Sequence, residues 1–129
     1  MTKGISMSTI ALTADSFGTT LEQNGIVLVD FWAAWCGPCR AFAPVFEKVS
    51  EAHPDIVFGK VDTEAERQLA AAARITSIPT LMAFRDRILV FSQPGALNHS
   101  QLEQVITAVE QLDMDEVRRT IETTSAPTA

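Results

Sequence analysis

Two cysteines, Cys36 and Cys39, are the only thiols in the 129-residue chain, and they enclose a glycine and a proline in the stretch WCGPC. A thiol pair at this spacing can close a structural disulfide, hold a metal ion or exchange disulfides with another molecule. The start of the chain has no apolar stretch long enough for a signal peptide, which predicts a cytoplasmic protein. Cytoplasmic thiols are kept reduced, so the pair is predicted to be catalytic or metal-binding.

The metal alternative depends on histidine. Cys36, Cys39 and His53 have about the spacing that begins a zinc finger. His99, the only other histidine, is too distant along the chain to serve as the fourth ligand. We therefore expect no metal site, and we expect both histidines at the surface.

Composition excludes other classes of protein. A net charge of -6 with scattered basic residues argues against binding to nucleic acid. No apolar run approaches the length that spans a membrane. The length and a hydrophobic content of 47% suit one domain with an ordinary core.

The segments around the cysteines predict where they lie in the fold. The run GIVLVDFWA, from Gly25 to Ala33, is typical of a parallel strand buried on both faces. Helical spacing follows it, in Phe42, Val45, Phe46 and Val49. The pair is thus placed at a strand-to-helix junction, where the unpaired N–H groups of the helix favour a thiolate on Cys36. Cys39, one turn further in, is expected to be more buried and to keep its proton.

The remaining pattern predicts a mixed sheet with helices on both faces. A short strand is expected at Ile10 to Leu12, then a helix ended by Asn24 and Gly25. The stretches DIVFGKVD and TEAERQLAAAARI predict a buried strand and a helix opened by Thr63. PTLMAF and ILVF predict a hairpin around RDR, and NHSQLEQVITAVEQL predicts an amphipathic helix.

Asp30 is the unusual residue of the buried strand. A charged, unpaired acid in such a position costs several kcal/mol. We therefore predict that Asp30 is buried with a raised pKa and acts on a proton. The alternative is that strand alternation turns Asp30 to solvent as an ordinary polar residue.

Four motifs in order resemble the thioredoxin family: VDFWAAWCGPC, the Lys60 of FGKVD, SIPT from Ser77 to Thr80, and PGAL from Pro94 to Leu97. The resemblance covers roughly Ile10 to Leu112. It implies an α/β thioredoxin fold, a five-stranded mixed β-sheet flanked by four helices. It also implies that Cys36 attacks a substrate disulfide and Cys39 resolves the mixed disulfide, while Asp30 takes the proton of Cys39 and Lys60 modulates Asp30.

The resemblance further implies a cis peptide bond before Pro79 and an apolar rim that receives substrate. The rim residues expected from it are Trp35, Gly37, Pro38, Ile78, Pro79, Thr80, Pro94, Gly95 and Ala96. Phe31 and Trp32 are interpreted as core residues beneath the site. A protein with this fold that only binds partners, without redox chemistry, is the alternative of another class.

The activity that the resemblance implies is reduction of protein disulfides, as a general electron donor in cell redox homeostasis. The partners implied are disulfide-containing client proteins and a flavin- and NADPH-dependent thioredoxin reductase that restores the dithiol. The chain is expected to be a monomer with no cofactor beyond the Cys36–Cys39 disulfide, and with no nucleic-acid or membrane partner.

The family match leaves both ends of the chain uncovered. We expect a flexible segment over 1–7, the domain over 8–112, an additional helix over 113–122 and a disordered tail over 123–129. Asp113 and Glu116 have the spacing of a capping box, which predicts the start of the helix. Its apolar stripe, which contains Met114, Val117 and Ile121, is predicted to dock on the body of the protein away from Cys36.

Overall fold

The computed structural model describes residues 8–125. The segment expected to be flexible, 1–7, and the last four residues of the expected tail lie outside this range. The described part of the chain contains ten elements: β1 Thr9–Ala11, α1 Ala14–Gln23, β2 Ile26–Trp32, α2 Gly37–Ala52, β3 Val57–Asp62, α3 Arg67–Ala72, β4 Thr80–Arg85, β5 Ile88–Pro94, α4 His99–Glu110 and α5 Met114–Ser125. Within the described range, no helix combines the length and apolar character needed to cross a membrane.

The five strands form one mixed sheet in the order β1-β3-β2-β4-β5. Strand β3 is parallel to both β1 and β2, whereas β4 is antiparallel to β2 and β5 antiparallel to β4. This is the predicted five-stranded mixed sheet with four helices and a further C-terminal helix. Strand β2 is central, which is why its sequence is apolar throughout except at Asp30.

Alternation along β2 divides the core into two layers. Leu28 packs on one face with Phe42 and Phe46 of α2 and with the buried side of α4. Val27, Val29 and Phe31 pack on the other face, against α1 and α3. Side chains two residues apart share a face, so Asp30 points to the same side as Leu28, toward the helix that begins at the cysteines.

Helix α3 is shorter than its sequence suggested. It begins at Arg67, not after Thr63, and it ends at Ala72. The Thr63 hydroxyl donates to the carbonyl of Trp32 at 3.0 Å, and a carboxylate oxygen of Asp62 accepts from the N–H of Glu64 at 2.9 Å. These bonds hold a turn after β3, so the prediction of Thr63 as the helix N-cap was wrong.

The predicted hairpin joins β4 to β5 through a two-residue turn. Asp86 and Arg87 both have positive φ, 53° and 72°, as a type I′ turn requires. Aspartate tolerates this region better than arginine does, and neither has the freedom of the glycine usual at such turns.

The same hairpin holds the C-terminal part of the chain. The Arg85 guanidinium donates to the carbonyls of Val109 and Leu112, each at 2.8 Å, and so satisfies the end of α4. Arg118 of α5 forms an ion pair with Asp86 at 3.0 Å. Met114, the first residue of α5, is buried.

The limits of α5 differ from those expected. The Asp113 carboxylate accepts from the N–H of Glu116 at 3.2 Å, as predicted for the start of the helix. The helix extends to Ser125, three residues beyond the predicted end at 122. Residues 123–125 of the expected tail are therefore helical.

Candidate active site

The two cysteines lie where β2 ends and α2 begins. Cys36 is the N-cap of α2, and its sulfur accepts the N–H of Cys39 at 3.2 Å. The cysteines are joined as a disulfide, with Cα atoms 5.2 Å apart. In this oxidised form both are buried, Cys36 with 4% and Cys39 with 2% of its surface exposed, so the expected difference in burial is small. The N-cap position places the Cys36 sulfur in the positive end of the helix dipole, which stabilises a thiolate after reduction.

The segment directly before β4 lies against Cys36. The Cys36 sulfur lies 3.7 Å from the carbonyl oxygen of Ile78, and the Ile78–Pro79 peptide bond is cis, as predicted. The Gly95 N–H donates to the Pro79 carbonyl at 2.8 Å, so the loop after β5 is held beside the cis proline. Gly95 has a φ of 105°, a backbone conformation that a residue with a side chain adopts only with strain.

The expected rim is only partly at the surface. Trp35 is 67% exposed. The other exposed members are Gly37, Pro38, Pro94, Gly95 and Ala96. Thr80, by contrast, is 6% exposed, and its hydroxyl donates to the Ser77 carbonyl at 2.6 Å. Thr80 therefore lies behind the rim and holds the loop that carries Ile78.

Asp30 is fully buried, with no exposed surface, which excludes the alternative in which it faces solvent. Neither carboxylate oxygen has a hydrogen-bond partner among the described residues. Burial raises the pKa of Asp30 from 3.8 to about 7, while the nearby charge of Lys60 acts in the opposite direction. A carboxyl group with this pKa can accept and release a proton near neutral pH.

Lys60 lies beside Asp30 on the neighbouring strand. The two residues are paired in the register of β2 and β3. The Lys60 ammonium sits 4.9 Å from the centre of the Trp32 ring, a distance at which a cation is attracted to the ring face. Phe31 is completely buried, as predicted for a core residue, whereas Trp32 is only half-buried.

The sequence reasoning missed Glu64. The indole N–H of Trp35 donates to its carboxylate at 3.4 Å, and Arg67 donates to the same carboxylate at 3.0 Å. Glu64 follows β3 by two residues, and Trp35 follows β2 by three. Parallel strands β2 and β3 end at the same edge of the sheet. An acid just after β3 could therefore have been predicted to lie near Trp35.

The histidines lie elsewhere. His53 follows the last residue of α2, at the opposite end of that helix from Cys36. It is half-buried, contrary to the surface position expected, because its ring contacts Glu103 at 2.8 Å and stacks near Phe58. His99 is exposed, 3.7 Å from the same carboxylate. Across residues 8–125, no group of three or more potential ligands is placed to hold a metal.

Comparison with known proteins gives a consistent result. The family model described as Thioredoxin matches residues 8–108. A protein of Streptomyces coelicolor named putative thioredoxin 2 is 56% identical over 114 residues, covering 88% of this chain and 85% of that protein. A thioredoxin of Mycobacterium tuberculosis is 43% identical over 88 residues, covering 67% of this chain and 76% of that protein.

Solved structures show the same likeness. A thioredoxin from Plasmodium falciparum has a TM-score of 0.72 at 36% identity, covering 78% of this chain and 97% of the other. The oxidised mitochondrial thioredoxin 3 of Saccharomyces cerevisiae has a TM-score of 0.72 at 33% identity, covering 78% and 95%.

Proposed function

Since the chain belongs to the thioredoxin family and is a thiol-disulfide oxidoreductase, we propose that it works as a reductant of protein disulfides. In this role Cys36 is the attacking thiol. The observation that supports the assignment is the N-cap position of Cys36, whose sulfur accepts the Cys39 N–H at 3.2 Å. The same bond after reduction stabilises negative charge on the Cys36 sulfur.

The reaction has two steps. The Cys36 thiolate attacks one sulfur of the client disulfide, which forms a mixed disulfide and releases the first client thiol. Cys39 then attacks the Cys36 sulfur, which closes the protein disulfide and releases the second client thiol. Two electrons pass to the client, whose two sulfurs leave as thiolates and take up two protons from solvent, equal in number to those that Cys36 and Cys39 give up.

Asp30 is proposed to receive the proton of Cys39 in the second step. It faces the side of the sheet on which α2 packs, and its pKa of about 7 suits transfer near neutral pH. The charge of Lys60 acts against the raised pKa and so keeps part of the carboxyl population ionised. The rim proposed to receive the client consists of Trp35, Gly37, Pro38, Ile78, Pro79, Pro94, Gly95 and Ala96, with Thr80 behind it.

The partner proposed to restore the dithiol is a flavin- and NADPH-dependent thioredoxin reductase, and the proposed location is the cytoplasm. The test is a coupled assay with insulin as the disulfide, bacterial thioredoxin reductase, and NADPH consumption as the readout. We expect steady consumption of NADPH that requires this protein, the reductase and insulin together. Reduction of insulin by chemically reduced protein, without consumption in the coupled assay, would contradict the reductase assignment alone.

A further inference from the structure

An apolar trough begins beside the candidate active site and follows the edge strand β5. It lies between β5 and α4, and its cavity volume is about 350 Å³. Gln93 and Leu97 line it close to Gly95, and Val109 and Leu112 line its far end. A second apolar cavity of about 290 Å³ continues from Val90 and Leu112 to α5.

The lining of the first cavity, which we call the trough, carries no charge, whereas Glu116 lines the second. The trough is built from three glutamines and seven apolar residues, in a chain of which 20% is charged. A charged group seated there would lose its hydration without gaining an ionic partner. Glutamine side chains can both donate to and accept from peptide groups. The trough therefore suits an apolar, uncharged stretch of polypeptide.

Among residues 8–125, the strand beside the trough has an unpaired edge. β5 is the last strand of the sheet in this range, where its one partner strand is β4. Its outer N–H and C=O groups have no backbone partner among the described residues. Such an edge accepts one more extended chain by strand addition, and a neighbouring apolar surface then receives alternate side chains.

The position of the trough identifies its occupant. Gly95 directly follows β5 and is hydrogen-bonded to Pro79, and the preceding carbonyl, that of Ile78, lies 3.7 Å from the Cys36 sulfur. The six residues from Val90 to Gly95 span roughly 17 Å of extended chain. An extended client chain that passes Gly95 therefore needs about five further residues to follow β5 as far as Val90.

We propose that this trough is a specificity site for client proteins that carry an extended, uncharged, apolar segment next to the reactive cysteine. The inference rests on the proposed function, because the segment is held there while Cys36 attacks the client disulfide. It assigns substrate selection to Gln93, Gln101 and Gln104 together with the edge of β5.

The test uses chemically reduced protein in a single turnover, with release of a coloured leaving thiol as the signal. The short probe is an N-acetylcysteine amide in mixed disulfide with 5-thio-2-nitrobenzoate. Two extended probes carry six alternating valine and threonine residues before or after the same cysteine. We expect the second-order rate constant of at least one extended probe to be about tenfold that of the short probe.

Two variants of α4 form a matched pair. Gln104 lines the trough, whereas Thr107 is exposed on the same helix and outside the lining. In Gln104→Lys the ratio of extended to short rate constants should fall from about tenfold to below about threefold. In Thr107→Lys, which adds the same charge, the ratio should stay at the wild-type value.

Four outcomes overturn the inference. A ratio near one for both extended probes in wild-type protein refutes it and leaves the proposed function intact. A ratio that Gln104→Lys does not change refutes the assignment of the site. Self-association in sedimentation that Gln104→Lys abolishes would show that a second copy occupies the trough. Failure to reduce even the short probe refutes the proposed function and this inference together.

Discussion

Replacing Asp30 by asparagine tests the burial of this carboxyl group through its effect on stability. The pKa of Asp30 is raised from 3.8 to about 7 by burial. Between these two pH values the folded state therefore binds more protons than the unfolded state, and the free energy of unfolding falls as the pH rises. Above about pH 7 the loss is complete. A difference of about three pH units, at about 1.4 kcal/mol each, gives a loss of about 4 kcal/mol.

The asparagine side chain introduced by Asp30→Asn carries no charge at any pH, so the variant lacks this loss. Its buried amide costs about 1–3 kcal/mol for want of a hydrogen-bond partner, but that cost is independent of pH. The quantity to measure is therefore the stability of Asp30→Asn minus that of wild type at each pH. This difference should favour the variant at pH 8 and should shrink by about 3 kcal/mol by pH 5.

The assay is urea unfolding of the oxidised protein at intervals from pH 5 to pH 8.5. The disulfide form is used because its two cysteines do not titrate. Asp55→Asn, at an exposed acid, controls for the loss of one negative charge. A difference between Asp30→Asn and wild type that is constant across this range would refute the reasoning and remove the basis for Asp30 as proton acceptor.

Three further outcomes are expected. Cys39→Ser should accumulate mixed disulfides with clients while Cys36→Ser accumulates none, because only Cys36 occupies the helix N-cap; equal alkylation of both thiols by limiting reagent near neutral pH would contradict this. Lys60→Met should raise the pKa of Asp30 further and move the pH dependence of unfolding upward; an unchanged urea midpoint profile would show that the Lys60 charge is screened. Truncation after Leu112 should lower the melting temperature by about 3–6 °C through loss of the α5 contacts, with an unchanged reduction rate per folded molecule; a large loss of rate in a stable truncated protein would show a catalytic part for α5.

Local patterns predicted the elements that carry the site. The apolar run of β2 and the helical spacing after Cys39 were enough to place the cysteines at a strand-to-helix junction. The burial of Asp30 also followed from its strand, since a central strand exposes neither face.

Contacts between distant segments were not predictable in the same way. Arg85 caps the end of α4 from 24 to 27 positions away along the chain, and no local pattern records such a partner. Thr63 was assigned to a helix because its own neighbours suit one. The carbonyl of Trp32, 31 positions earlier, holds its hydroxyl instead, and tertiary contact overrides local preference there.

The Cys36–Cys39 disulfide contains every sulfur in the chain that can be oxidised to a disulfide, since the sequence has two cysteines. A molecule that is not bound to a client therefore carries either two free thiols or none. Alkylation in a rapidly quenched sample adds two labels to a reduced chain and none to an oxidised one. A chain with a single label can only have come from a mixed disulfide or from one blocked thiol. The mass spectrum of the labelled protein thus counts its reduced, oxidised and mixed-disulfide forms directly. The ratio of these forms reports the redox balance of the sample.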